Sequence, residues 1–330
     1  MTITTRFTEL LGCEVPIQQA GTGAASTPEL AAAVSNAGGL GMLAATADDL
    51  SADVDATRRA VAGRPFGVNF LMPFFERAAL DAVAARVPLV EWYWGEPDPV
   101  LVGVAHGAGA LAAWQVGSAE EARQAEDAGC DLIVAQGIEA GGHVRGTIGL
   151  LPLLDAVLDA VAVPVIAAGG IATARGVAAV LADGASAARI GTRFVATAES
   201  GAHPSFKQAL IDAEAADTVV TRMYSVWWPD APHRVLRSAV AAAEALDEEF
   251  AGDVGGNGEP FPIPRFAVRP PNRATRGHVE AMALYAGQSV GAVRAIAPAG
   301  GVMRELAEGA ETLLSSVGRT PRRDTGVRTS

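Results

Sequence analysis

His143 closes Ala135-Gln-Gly-Ile-Glu-Ala-Gly-Gly-His143, the most unusual segment of the chain. An imidazole titrates near neutral pH, so a histidine held beside a ligand can serve as a general base. Gly141 and Gly142 before it permit close backbone approach, and Gln136 puts an amide at the start of the loop. A lone histidine is more often a surface or core residue, and His106 and His203 are read that way. The glycines around His143 reverse those odds.

Two further turns suit an anion. Ala167-Ala-Gly-Gly-Ile-Ala172 places Gly169 and Gly170 just before a helix, where free backbone N–H groups point outward. Arg189-Ile190-Gly191-Thr192 adds a glycine with a hydroxyl donor beside it. Together they read as a paired phosphate cradle, and separately as tight turns. Asn69 and Gln115 end two apolar runs, and an amide that both donates and accepts suits the polar edge of a bound ring system. Satisfying neighbouring backbone groups is the bland role for the same amides. Trp227 and Trp228 lie on a Pro-bounded loop, which suggests a lid over a substrate; the alternative puts one under the loop and one at the surface.

These residues need a scaffold, and the apolar runs supply one. Pro16–Ala20, Gly41–Ala45, Phe66–Leu71, Leu89–Tyr93, Ala110–Val116, Leu132–Gln136, Val163–Ala168 and Ala187–Ile190 read as strands covered on both faces. Helical patterns separate them at Pro28–Ala37, Ala78–Arg86, Ser118–Ala128, Leu150–Ala160 and Ala174–Ala182. Ser118 with Glu121 forms a capping box, and glycines end several helices just before the next strand. Eight strands in β-then-α order predict an α/β fold, a (β/α)₈ TIM barrel, with the chemistry at the strands' C-terminal ends. A doubly wound sheet is the rival, but Gly21-Thr-Gly23-Ala-Ala-Ser26 has only the first two glycines of a dinucleotide fingerprint.

The barrel is expected over residues 10–198 and about 277–315. Residues 199–276 are expected to form a mainly helical lid subdomain inserted after strand eight, with helices at Pro204–Ala216 and Ala239–Phe250 and a Gly/Pro-rich loop at Gly252–Pro271. Gly277–Ala286 and Val302–Ser315 read as closing helices, and residues 316–330 as a disordered tail.

Composition fits this scaffold. Of 330 residues 50% are apolar and 19% charged, with a net charge of −12. That acidity disfavours nucleic acid and anionic membranes as partners, though not a small anion bound by local dipoles. Cys13 and Cys130 read as buried thiols, and no Cys-x-x-Cys or His-x-x-x-His spacing points to a metal. The polar N-terminus and interrupted apolar runs point to a soluble cytoplasmic protein.

Pro16-Ile-Gln-Gln-Ala-Gly21, Gly67-Val-Asn-Phe-Leu71, Ala135–His143, Ala167–Ile171 and Ala286-Gly-Gln288 resemble the nitronate monooxygenase family, over about residues 10–300. The resemblance implies FMN as cofactor and oxidation of alkyl nitronates or nitroalkanes by O₂ to a carbonyl compound and nitrite. It implies flavin contacts at Asn69, Gln136 and Gly141, phosphate contacts at Gly169 and Gly170, and His143 as base or anion-orienting group. Ala20, Gly21, Thr22, Gln115, Gly142, Arg189, Ile190, Gly191, Thr192 and Gln288 complete the expected cofactor set. Arg189 stands where many relatives have Gln, Val144 separates His143 from Arg145-Gly146, and Ser289 follows Gln288 where many have Gly. The same framework is similar to flavin-dependent enoyl-acyl-carrier-protein reductases and NAD(P)H:quinone reductases, so an NAD(P)H-dependent flavin reductase is the alternative. A flavin-binding protein without turnover is a third possibility, and a homodimer is left open.

Overall fold

Runs apolar on both faces need cover on both faces, and eight of them become parallel strands in the computed structural model, which describes residues 3–45, 49–255 and 260–316. The barrel strands are β1 (Ile17–Gln19), β2 (Gly41–Ala44), β3 (Phe66–Leu71), β4 (Leu89–Tyr93), β5 (Leu111–Val116), β6 (Leu132–Gln136), β7 (Val165–Ala168) and β8 (Ala187–Ile190). Each pairs in parallel with its sequence neighbour from β2 to β8, and β8 pairs with β1. A parallel bridge between Gln18 and Leu40 closes the ring, with Gln19 N donating to Leu40 O and Leu40 N to Ile17 O, both at 2.9 Å.

Helices start where side-chain caps allow. Thr27, Ser118 and Thr173 accept from backbone N–H groups at the starts of Pro28–Asn36, Ala119–Asp127 and Ala174–Ala182. The turn after β8 is only four residues long, Thr192–Val195. The long helix Ala299–Ser316 takes the vacant outer position, packed between Ala174–Ala182 and Pro28–Asn36.

Apolar residues form two layers, one between strands and helices and one inside the barrel. Phe7, Leu11 and Cys13 plug the lower end of the inner layer against Met42, Leu89 and Ile166. They belong to or follow a short helix, Arg6–Leu11, capped reciprocally by Thr5 and Thr8. The barrel therefore recruits residues before the expected start at position 10. Helices Leu50–Ala60 and Pro99–Gly107 continue the strand-then-helix alternation between β2 and β3 and between β4 and β5.

The insertion is mixed rather than mainly helical. Its expected helices occur as Pro204–Asp212 and Arg237–Ala245, but strands accompany them. Thr218–Thr221 and His233–Leu236 pair antiparallel, and Phe250–Val254 lies between Phe261–Pro264 and Thr275–Gly277. The Gly/Pro-rich stretch forms strands because its prolines sit at the sheet edge, where a missing donor costs no ladder bond. Gly277–Ala286 forms no α-helix, only a single 3-10 turn at Val279–Ala281. Gly277 is at φ +107° and a side chain there would lie 2.6 Å from Ala251 O, so pairing overrides helix propensity. Residues 317–330, most of the expected disordered tail, lie outside the described residues.

Candidate active site

Parallel pairing brings the C-terminal ends of all eight strands to one side of the barrel, and a cavity of about 650 Å³ opens there. Ala20, Gly21 and Thr22 line it after β1, Asn69 from β3, Gln115 from β5 and Gln136 from β6. Gly141, Gly142 and His143 line it from the loop after β6. Gly169 and Gly170 follow β7, and Arg189, Gly191 and Thr192 come from the end of β8. Two expected residues are not brought there. Ile190 is fully buried with the outer core, because alternate strand residues point to opposite faces and Arg189 takes the inward place. Gln288 is exposed and outside the lining, its backbone N donating to Glu139 O at 2.9 Å.

Beneath the cavity lies a charged network centred on Glu91, which no sequence motif marks. Glu91, on β4, is fully buried and accepts from Gln18 Nε2 at 2.9 Å and Asn69 Nδ2 at 2.7 Å. Arg189 Nη1 donates to the same carboxylate, an ion pair inside the barrel. Arg189 is thus held from below, and Asn69 is oriented by the hydrogen bond it donates. Beside them the Tyr93 hydroxyl lies 2.7 Å from Gln136 Oε1 and 2.9 Å from His143 O, while Gln136 Nε2 donates to His143 O at 3.1 Å. Burial pushes the Tyr93 hydroxyl far up, so it stays a proton donor at neutral pH.

These bonds fix the His143 backbone from the barrel side, and the insertion fixes it from the other. Gly142–His143 pairs antiparallel with His233 and Arg234, and Val144 N donates to Pro232 O at 2.9 Å. The His143 ring stacks on Trp228 at 3.7 Å, with Trp94 at 6.0 Å, Tyr285 at 5.6 Å and His233 at 5.2 Å around it. Its Nε2 is buried without a hydrogen-bond partner among the described residues. Burial, with a smaller contribution from His233, lowers its pKa from 6.5 to about 3. The imidazole is therefore neutral at physiological pH. His233 is neutral as well, its pKa lowered by burial, with Nδ1 on Ala231 O and Nε2 accepting from Tyr224 N.

The two tryptophans divide the roles weighed for them. Trp228 is buried against His143, and Trp227 is 44% exposed beside Phe261, yet both line the cavity. Tyr93, Trp94, Tyr285 and His233 complete the surroundings of His143. Of these, Tyr93 could have been found from its place at a strand end, the signal that marked Asn69 and Gln115.

The glycines do two different jobs. A side chain at Gly141 would lie 2.4 Å from Gly287 N, and one at Gly21 would lie 2.7 Å from Asn69 Cβ, so these serve close packing within the chain. Gly169 and Gly170 have φ +108° and +68°, and the N–H groups of Gly170 and Ile171 have no protein acceptor among the described residues. Thr192 Oγ1 accepts from Gly287 N at 3.0 Å, leaving its proton for a ligand. A β-carbon at Gly191 would meet Ala20 Cβ at 3.6 Å and Thr22 Cγ2 at 3.8 Å, ordinary contacts, so close packing within the chain does not demand this glycine. Free amides, a hydroxyl and a glycine-lined gap fit a phosphate, and the amides of Asn69, Gln115 and Gln136 fit a polar ring edge. No cluster of His, Cys, Asp or Glu among the described residues could hold a metal ion, and no helix there is long and apolar enough to cross a membrane. Cys13 and Cys130 are buried free thiols, each pushed up to about 12 by burial.

Comparison with known proteins adds an independent view. The family model described as nitronate monooxygenase matches residues 4–81 and 72–309. A nitronate monooxygenase of Pseudomonas aeruginosa is 32% identical over 364 residues, covering 93% of this chain and 99% of that one. A hydroxy-methyl-oxo-octahydroindene-carboxyl-CoA dehydrogenase of Mycobacterium tuberculosis is 38% identical over 251 residues, 72% of this chain and 67% of that one. The solved structure of FabK from Thermotoga maritima is similar with a TM-score of 0.80 at 33% identity, covering 96% of this chain and 98% of the other.

Proposed function

The chain belongs to the nitronate monooxygenase family of flavin-dependent oxidoreductases, and from that premise we propose that it oxidises alkyl nitronates with O₂ to a carbonyl compound and nitrite, with FMN as cofactor. The observation that carries this reading is His143, a neutral imidazole with an unpartnered, buried Nε2 at the wall of the cavity. Gly170, Ile171, Gly191 and Thr192 would hold the FMN phosphate, and Asn69, Gln115 and Gln136 the ring edge, with Ala20, Gly21 and Thr22 beside them. FMN rather than FAD is favoured because no Gly-x-Gly-x-x-Gly turn follows β1 to take a pyrophosphate. Bound FMN supplies the electron-acceptor chemistry.

The chain's own groups bind and orient the substrate. A nitronate oxygen supplies the partner that His143 Nε2 lacks, and a neutral imidazole donates to it without bringing a charge into a dry site. Trp228 and Tyr285 exclude water from that contact, which strengthens it. The insertion, residues about 199–276, acts as the lid through Trp227 and Trp228. A base whose pKa is near 3 is a poor acceptor for the α-proton of a neutral nitroalkane, so the substrate is the preformed nitronate. Of the two roles open to His143, base or anion-orienting group, the lowered pKa supports the second.

The test is a pair of assays on the purified protein, with the released cofactor weighed by mass spectrometry. Nitrite should form from propyl-2-nitronate under O₂, little should form from neutral 2-nitropropane, and the cofactor should have the mass of FMN. The resemblance to a CoA dehydrogenase favours a second reading, an NAD(P)H-dependent flavin reductase acting on a quinone or enoyl thioester. Anaerobic bleaching by NADH or NADPH, with no nitrite from the nitronate, would establish that reading and remove the first.

A further inference from the structure

Beyond the Trp228 ring stacked on His143, further aromatic rings line the cavity. The Phe74 ring lies 5.6 Å from Trp228, and the Trp227 ring lies 5.8 Å from Phe261. Phe74, Trp227 and Phe261 are 40%, 44% and 50% exposed, and all three line the same cavity. Three large apolar side chains left open around one mouth mark a binding surface. At its far side the Arg269 guanidinium lies 5.7 Å from the Phe261 ring centre, and Arg269 makes no ion pair among the described residues. Glu76, the exposed charge of the same lining, makes no ion pair with Arg269.

This mouth is built rather than loose. Val226 N donates to Phe266 O at 3.1 Å and Val268 N to Val226 O at 3.2 Å, tying the Trp227 segment to the Arg269 segment. The Tyr285 hydroxyl donates to Val268 O at 2.8 Å. Trp227 and Phe266 hold left-handed backbone at φ +74° and +65°, a strained conformation that only the surrounding bonds maintain. Pro270 and Pro271 restrict the chain directly after Arg269.

We propose that the outer part of the cavity is a subsite for a long apolar substituent of the substrate, ending in an anionic group paired with Arg269. A two- or three-carbon nitronate at His143 reaches Trp228 but not the outer rings. A medium-chain tail covers Phe74, Trp227 and Phe261, and a carboxylate at its end meets the free guanidinium. The proposal rests on the nitronate reading for the reacting group alone; the subsite is independent of it.

Two measurements test it. The first compares KM for propyl-2-nitronate, 1-octyl nitronate and the nitronate of 8-nitrooctanoate. Each methylene buried tightens binding by up to about fourfold, so KM should fall at least tenfold from propyl to octyl and about fivefold further with the carboxylate. Phe261→Ala should remove most of the first gain, and Arg269→Gln the second only. The second follows decanoate, which cannot turn over, binding to the holoenzyme by quenching of tryptophan fluorescence; Arg269→Gln should weaken it about fivefold or more. Equal KM values across the series together with no decanoate binding would overturn the subsite, as would gains that survive both substitutions. Decanoate binding that depends on Arg269, in a protein inert toward every nitronate, would uphold the subsite and remove the nitronate reading.

Discussion

Glu91→Ala is expected to cost about 3–5 kcal/mol of stability, the effect of leaving one partner of a buried ion pair uncompensated. Glu91 is fully buried and Arg189 nearly so, and the carboxylate also receives Gln18 and Asn69. Removing it strands a guanidinium inside the barrel and leaves two amide donors without an acceptor. Replacing both charges is a different matter, since a buried pair exchanged for neutral groups of similar shape is often close to neutral in stability. Glu91→Gln combined with Arg189→Gln should therefore recover most of the loss, an amide pair standing in for the ion pair. Urea unfolding of the single and double variants gives the coupling energy directly. Additive losses in the double variant would show that the two residues are not coupled, and the network would then have no part in holding the cavity floor. Should Glu91→Ala fail to fold, the comparison of Glu91→Gln with the double variant carries the same information.

That pair also shows what a sequence reveals and what it conceals. The strands were legible because burial on both faces demands unbroken apolar runs, and each of the eight lies within about two residues of its expected bounds. Glu91 was hidden for the same reason: inside Leu89-Val-Glu-Trp-Tyr93 a single charge looks like noise, and its partner Arg189 is 98 residues away. Parity within one strand separates Arg189 from Ile190, and applying it to Arg189–Thr192 would have kept Ile190 out of the site. Gln288 was carried by resemblance alone, and its side chain is exposed. Loop glycines were recognised, but only three-dimensional neighbours tell that Gly141 makes room for Gly287 rather than for a ligand. The insertion was least legible. Its short strands lean on each other and on Gly142–His143, so neither Pro content nor local periodicity announces them. Trp227 and Trp228 read as a pair in the sequence, yet opposite exposure follows from the turn between them, with Trp227 at φ +74°.

His143→Ala should lower kcat for a nitronate by about 10²–10³-fold, the usual cost of deleting one donor aimed at a reacting anion, while the protein remains yellow. Flavin retention follows from the placement of the other groups: the phosphate turns and the amides of Asn69, Gln115 and Gln136 do not depend on the imidazole ring, and Gln136 and Tyr93 contact only its backbone carbonyl. The more telling variant is His143→Gln. A glutamine amide donates a hydrogen bond but cannot take up a proton near neutral pH, so it restores a donor and not a base. If His143 orients the anion, Gln should recover a substantial part of the activity that Ala loses. The pH profile is the second arm. With the histidine pKa lowered to about 3 by burial, the neutral form persists above that value, and protonation of His143 should impose no acid limb on nitronate turnover between pH 8 and 5. A general base of ordinary histidine pKa predicts the reverse on both counts: Gln as inactive as Ala, and activity falling as pH drops through about 6.5. Both results together would return His143 to the role of base, and a colourless Ala variant would make the ring part of the flavin site instead.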